Sequence, residues 1–309
     1  MRRTLTTLAA VALALAGTTA CEPPPPPTSL TVNVAPSVTG DDANPGDGIC
    51  ETAPGNGVCT LDAAVQEGNA LGRADLHVPP ATAYDATYRL SETTITGVLN
   101  LYSSWTPSRT VQVVAPQLHV AAGGHLALEQ AGIAIEGTAV VDGVLSLHRS
   151  FVYGWIDISA TGVMSMVNSD GGPTMDHTPV PPSGAWITNR GTFVSRFSAF
   201  ARVSWISASL FHTLDGGGTQ LGASVAYPMG TFPAPCLGTP PVSEGYNLLY
   251  GCALTGPGDV TGTYQPNPTH AVPNGVVGCG TTITVDINGD PRPDPDSWQP
   301  GQCNHGPIE

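Results

Sequence analysis

The chain has no lysine. All ten of its basic residues are arginines, set against 24 aspartates and glutamates, for a formal net charge of −14. Arg2 and Arg3 fall in an N-terminal segment with the features of a removable export signal; without them, 8 arginines face 24 acids, a net charge of −16. A surface of that sign repels phosphate backbones and anionic lipid, which argues against a nucleic-acid partner. It suits a solvated face, or one that holds divalent cations. Long apolar runs are also missing. The run from Leu8 to Ala16 is too short to span a bilayer, and no later stretch is longer. Long helices are disfavoured because 37 glycines and 30 prolines make up more than a fifth of the 309 residues.

What is present begins with "MRRTLTTLAAVALALAGTTAC": a basic start, an apolar run and small residues before Cys21. This reads as a secretory signal peptide over residues 1–20. Cys21 stands where a bacterial lipoprotein is cleaved and lipidated, although Thr18 replaces the leucine preferred three residues before the cut. Ordinary cleavage after Ala20 is the alternative. The chain has seven cysteines, and an odd count in an exported protein calls for an explanation. Lipidation of Cys21 supplies one and leaves Cys50, Cys59, Cys236, Cys252, Cys279 and Cys303. Six cysteines allow about 15 connectivities; proximity in sequence favours 50–59, 236–252 and 279–303. Residues 21–28 carry the run "EPPPPPTS", a semi-rigid polyproline spacer suited to tethering a domain off a membrane.

Residues 29–78 are read as an N-terminal cap. "LTVNV", Leu30 to Val34, alternates like a strand. A polar, acidic loop follows, closed by Cys50 and Cys59, and then "TLDAAVQEGNA". Thr60 is placed to N-cap a helix with Asp62 in its first turn, where a carboxylate faces the positive end of the helix dipole. Leu61, Ala64, Val65 and Gly68 make one narrow apolar face, and the helix should end between Asn69 and Gly72. Three turns cannot stand alone in water, so that face must cover something.

Residues 79–235 contain a repeat. "GVLNLYSS", "GHLALEQA", "GVLSLHRS", "GVMSMVNS" and "GTFVSRFS" begin at Gly97, Gly124, Gly143, Gly162 and Gly191. A base period of 19, with period-2 alternation inside each unit, is what a β-solenoid needs. Leu99, Leu126, Leu145, Met164 and Phe193 should stack inward. So should Leu101, Leu128, Leu147, Met166 and Ser195. The glycines are expected to allow sharp turns. The short runs "LHVAAG", "TAVVDG", "WIDISATG" and "WITNRG" precede glycines and alternate in the same way. The predicted fold is all-β, a right-handed parallel β-helix whose open N-terminal end is covered by the short α-helix.

Both ends of the chain resemble one family. "DDANPGDGICETAPGNGVCTLDAAVQEGNAL" is similar to the CSLREA domain that opens many bacterial β-helix proteins. Cys59, Thr60, Leu61, Ala64, Val65 and Asn69 match its pattern, while Asp62 and Ala63 replace its Arg-Glu. "GYNLLYGCALTGPGDVTG" and "CGTTITVDINGDPRP...CNHGPIE", in the Cys- and Pro-rich segment 236–309, resemble that family's closing motifs; Asn304, His305 and Pro307 depart from them. The resemblance implies export, a pectin-lyase-like fold and life at the cell surface. It implies no defined activity.

A lyase of that fold needs stacked aspartates for Ca²⁺ and a basic residue, and a hydrolase needs paired carboxylates. Asp142, Asp157, Asp170 and Asp176 lie in successive repeats but at different offsets from their glycines. Arg149 and Arg196 read as solvated or paired with acids. Neither His212 with Asp215 nor Asp176 with His177 has a nucleophile beside it. Ser150, Ser169 and Ser198 share one repeat position and read as a ladder of small residues. Trp105, Trp155, Trp186 and Trp205 are candidates for stacking on sugars; Trp155 and Trp186, each followed by isoleucine, read better as packing residues. Asp286, Asn288, Asp290 and Asp294 fall at positions 1, 3, 5 and 9 of an EF-hand-like Ca²⁺ loop that lacks its glycine and terminal glutamate. Asp41, Asp42, Asn44 and Asp47 offer ligand types at irregular spacing. No cofactor other than this candidate Ca²⁺ is expected. The expectation is an exported, non-catalytic surface lipoprotein acting in display, adhesion or binding. Its partners would be extracellular polysaccharide or envelope components, and it would meet the membrane only through the lipid. The alternative is a polysaccharide lyase or hydrolase.

Overall fold

The computed structural model describes residues 26–79, 87–91, 93–103, 112–172, 185–200, 209–214, 216–226, 236–249, 252, 254–260, 272–284, 291–293 and 302–303. Over these the protein is mostly β, built from parallel sheets with one α-helix. Nine parallel strands form the first sheet. In spatial order they are Thr28–Thr31, Arg73–Val78, Val98–Ser103, His125–Glu129, Val144–His148, Val163–Val167, Thr192–Arg196, Gly218–Gly222 and Val242–Gly245. Spatial order follows chain order throughout, so each unit lays its strand beside that of the unit before it.

The register is the one the repeat dictates. Leu99, Leu126, Leu145, Met164 and Phe193 are direct partners across successive strands, as are Leu101, Leu128, Leu147, Met166 and Ser195. All ten are buried. One further unit lies at each end: Ala74 and Leu76 pair with Leu99 and Leu101, and Thr219 and Leu221 pair with Phe193 and Ser195. These units start at Gly72 and Gly217, but Ala74 and Thr219 replace the large apolar residue two places on. With Arg73–Val78 from the N-terminal segment and Val242–Gly245 from the C-terminal one, both flanking segments contribute strands to the same sheet as the repeats.

The repeat glycines have a different reason from the one expected. Gly124, Gly143, Gly162 and Gly191 are not in the left-handed region. A Cβ at Gly162 would instead meet the Val141 carbonyl oxygen, and one at Gly143 would meet that of Gly124. Stacked backbones approach too closely there for any side chain. The left-handed turn comes six residues after each glycine and uses ordinary residues: Gln130, Arg149, Asn168, Phe197 and Ala223 have φ between 47° and 56°. The next position carries the predicted ladder. Ser150 Oγ accepts from Ala131 N (3.2 Å), Ser169 Oγ from Ser150 N (3.3 Å) and Ser198 Oγ from Ser169 N (3.3 Å). Each hydroxyl satisfies a buried amide of the preceding unit.

A second, 12-stranded sheet carries the other legs of each unit. The alternating runs before the glycines fall in its strands Leu118–Val120, Gly132–Val141, Phe151–Ile158 and Ala185–Asn189. Their inner rows again stack in parallel register: Leu118, Ala139, Ile156 and Ile187 are successive partners. Inward residues of both sheets form one buried cluster running from Leu30 to Leu254.

The helix spans Leu61–Leu71. Thr60 caps it by accepting from Ala63 N at 3.1 Å, and Gly72, at φ 77°, ends it. Leu61, Ala64 and Val65 join the main core. Gly68 brings the helix down onto the inner row: a Cβ there would meet the Leu99 and Ala74 side chains. Asp62 does more than face the dipole. It is buried, and its Oδ1 accepts from Ser91 N at 2.8 Å. The predicted strand Leu30–Val34 is shifted to Thr28–Thr31. Asn33 N turns away to the Cys59 carbonyl, tying the chain to the disulfide loop. The three local disulfides are formed: Cys50–Cys59, Cys236–Cys252 and Cys279–Cys303. Cys252 lies in the main core with Leu249 and Leu254, whereas Cys279 and Cys303 make a second small cluster against Phe197 and Ala223.

Candidate functional site

Alternation places every second residue of the nine-stranded sheet on the face away from the core. One outward row runs Asp75, Asn100, Ala127, Ser146, Ser165, Val194, Gln220, and its neighbour runs His77, Tyr102, Glu129, His148, Val167, Arg196. Strand spacing sets these side chains about 4.8 Å apart. They contact one another along the rows. The His77 and Tyr102 rings stack with centroids 5.2 Å apart. Asn100 Nδ2 donates to Asp75 Oδ1 at 2.7 Å, and Ser165 Oγ to Ser146 Oγ at 3.2 Å. His148 Nδ1 and Glu129 Oε2 are 2.8 Å apart. At the far end Arg196 makes a two-pronged pair with Glu244 (2.6 and 2.5 Å), which also accepts from Gln220 Nε2. The Glu244 hydrogen bonds hold the Arg196 guanidinium charged by raising its pKa further. Burial lowers the pKa of His125, which sits beside Ser146, and so favours neutral imidazole. Burial, then Asp75 and Glu129, push the Tyr102 phenol up. The face is mostly polar, and its side chains are largely pre-organised by these contacts.

The candidate catalytic aspartates are engaged one by one in different units. Asp142 is held below the ordinary carboxylate range by hydrogen bonds from Ser159 and then His119, the latter at 2.8 Å. Asp157 pairs with Arg190 at 2.5 Å, and Asp170 Oδ1 accepts from Gly171 N. With its amide oxygen turned toward the guanidinium, Gln130 accepts from both terminal nitrogens of Arg149. Among the described residues, no three His, Cys, Asp or Glu side chains are arranged to hold a metal ion. Trp155 and Trp186 are fully buried in the main core, so they serve packing and not sugar stacking. Cys21, Trp105, Trp205, Asp176, His177, Asp215 and the candidate loop Asp286, Asn288, Asp290 and Asp294 lie outside the described residues.

The acidic loop before the helix is built more tightly than its spacing suggested. Glu67, buried on the helix, accepts from the backbone N–H groups of Gly46 and Gly48 and so clamps the loop down. Gln66 bridges it a second time, donating to Asp41 Oδ1 and accepting from Asp42 N. Asp42 is 8% exposed and its Oδ1 accepts from Asn44 N at 2.9 Å. Burial, and then the charges of Glu67, Asp47 and Glu51, push its carboxyl above the ordinary range. Sequence reasoning missed Glu67 because it stands 16 residues beyond Glu51, the last acid of the disulfide loop. The available signal was a glutamate six residues past the helix start, opposite a Gly-rich loop. It also missed Asn247, which accepts from Ser224 N and donates to the Leu221 carbonyl, ending the ladder with Asp259 behind it. Comparison with protein-family models, curated proteins and solved structures yields no match.

Proposed function

We propose that the chain is an exported surface lipoprotein of the CSLREA-like kind, its sheets wound as a right-handed parallel β-helix, and that it works by binding or display without catalysis. Parallel strands joined in chain order favour the right-handed winding. The three disulfides are typical of exported proteins. The signal-like N-terminus, Cys21 and the proline tether support surface anchoring. The observation that carries the binding reading is the outward face of the nine-stranded sheet. Its rows place an aromatic stack, hydroxyls, an amide, a histidine–carboxylate contact and an arginine–carboxylate pair at regular spacing, with each acid already joined to a partner. Such a face suits an extended, repetitive ligand such as an extracellular polysaccharide, read by stacking and hydrogen bonds. Carboxylates held in separate pairs are poorly placed to share acid and base roles across one bond.

The test has two arms. Sedimentation with insoluble polysaccharides and envelope fractions should retain the protein, and Tyr102→Ala should weaken retention. Steady turnover of pectate or a related polymer would replace this reading with the lyase or hydrolase one. Mass measurement of the mature N-terminus should find diacylated or triacylated Cys21; a free Cys21 would remove the anchor.

A further inference from the structure

The segment from residue 39 to residue 67 contains six acids, Asp41, Asp42, Asp47, Glu51, Asp62 and Glu67, and no lysine, arginine or histidine. Four of them, Asp42, Glu51, Asp62 and Glu67, are buried. Burying carboxylates without a cation is unfavourable, because each loses water and feels the repulsion of nearby acids. Asp42 shows the consequence most sharply. Its Oδ2 is buried and has no hydrogen-bond partner, and the charges acting on the group are all negative, those of Glu67, Asp47 and Glu51. No ion pair joins any of these acids to a described basic residue.

We propose that the loop of residues 41–51, clamped against the helix, binds one Ca²⁺ ion, with Asp42 Oδ2 as an inner ligand and Asp47, Glu51 and Glu67 supplying the surrounding negative charge. Backbone N–H groups already fix the four carboxylates: Asn44 holds Asp42, Ile49 holds Asp47, Gly55 holds Glu51, and Gly46 with Gly48 hold Glu67. Each retains acceptor capacity beyond the bond it makes. The remaining coordination comes from loop carbonyls and water, consistent with the lack of a three-side-chain cage. Those hard oxygen donors suit Ca²⁺, which tolerates irregular ligand sets, better than Mg²⁺, which demands near-octahedral geometry. They do not suit Zn²⁺, because the two cysteines of the loop are joined to each other. A weak site of this kind would be filled at the roughly millimolar Ca²⁺ met by extracellular modules. The inference is independent of the polysaccharide reading.

The experiment uses the full exported chain, freed of metal, with CaCl2 and MgCl2 as the added salts. Calorimetric titration should find one Ca²⁺ per chain at this site, and CaCl2 should raise the melting midpoint more than MgCl2 does. Asp42→Asn should melt higher than wild type without calcium, because it relieves repulsion. With calcium it should melt lower, because it removes the ligand. Asp47→Asn, on the exposed side of the loop, tests the site even if the buried variant fails to fold; it should weaken calcium binding about 10-fold or more. Asp286→Asn with Asp290→Asn should leave the response intact. The proposal is overturned if calcium leaves the wild-type melt unchanged. It is equally overturned if Asp47→Asn binds as tightly as wild type, or if the 286/290 variant alone abolishes the response.

Discussion

The early and late units share one backbone register but fill it differently. From Ala74 to Met166 the stacked inner rows of the first sheet are aliphatic or methionine, with buried Ser103, paired with Val78 at the strand end, as the exception. In the later units Ser195 and Thr219 take inner positions, beside Ser224, which continues the serine ladder, and Asn189 and Thr213 continue the row of Val120, Val141 and Ile158. These polar residues satisfy one another. Asn189 donates to the Gly218 carbonyl and to Thr219 Oγ1 and accepts from Gly191 N; Thr213 meets Thr219 at 2.8 Å, and Ser195 meets Ser224 at 3.0 Å. Parallel stacking therefore does not require an apolar inner row. Along the rows from Leu99 to Leu221 the inner positions are matched by their neighbours, through packing early in the chain and hydrogen bonds late. The two solutions should differ in what they tolerate.

The largest effect is expected where packing alone acts. Leu145→Ala should cost about 2–5 kcal/mol in chemical denaturation, since the residue is fully buried between Leu126 and Met164. Leu145→Met should cost less than about 1.5 kcal/mol. Next comes Asn189→Leu, a change to an apolar side chain in the late units. It strands Gly191 N and removes the tie to Gly218, so a loss of about 1–3 kcal/mol is expected. If Asn189→Leu proves as harmless as Leu145→Met, the distinction between the halves collapses. Ser195→Ala should cost roughly 1 kcal/mol, because Ser224 Oγ keeps its second bond to the Gly222 carbonyl.

That distinction explains what could be read from the sequence. The glycine-anchored pattern located the first sheet because aliphatic residues announce an inner row. It faded at Gly72 and Gly217, where Ala74 and Thr219 occupy the same place with side chains that carry no such signal. Thr60, Leu61 and Gly72 made the helix legible, since capping and amphipathicity are local. The left-handed corners were not legible, because Gln130, Arg149 and Phe197 are not residues that mark positive φ. Local disulfides could be expected from proximity. The clamp of Glu67 on the acidic loop and the termination of the ladder by Asn247 depend on contacts across folded units, which spacing does not reveal.

The smallest effect separates the acidic cap from the repeats by the sign of its pH dependence. Burial raises the Asp62 carboxyl above its ordinary value, despite the Ser91 N–H that it accepts. The folded state then holds this proton more tightly than the unfolded chain. The stability it contributes is complete below the ordinary aspartate pKa and is lost as pH rises through the raised one. Asp142 is the opposite case. Its carboxyl is lowered by Ser159 and His119, so its contribution is present above the ordinary value and lost as pH falls through the lowered one. In metal-free buffer, Asp62→Asn can keep the Ser91 bond while removing the charge. It should therefore match wild type in acid and melt higher at neutral pH, by no more than about 4 °C. Asp142→Asn should melt lower at neutral pH and converge with wild type in acid. Melting curves at several pH values for the two variants decide the point: gaps of the same sign at neutral pH would mean that the acids of the cap and those of the repeats sit in equivalent surroundings.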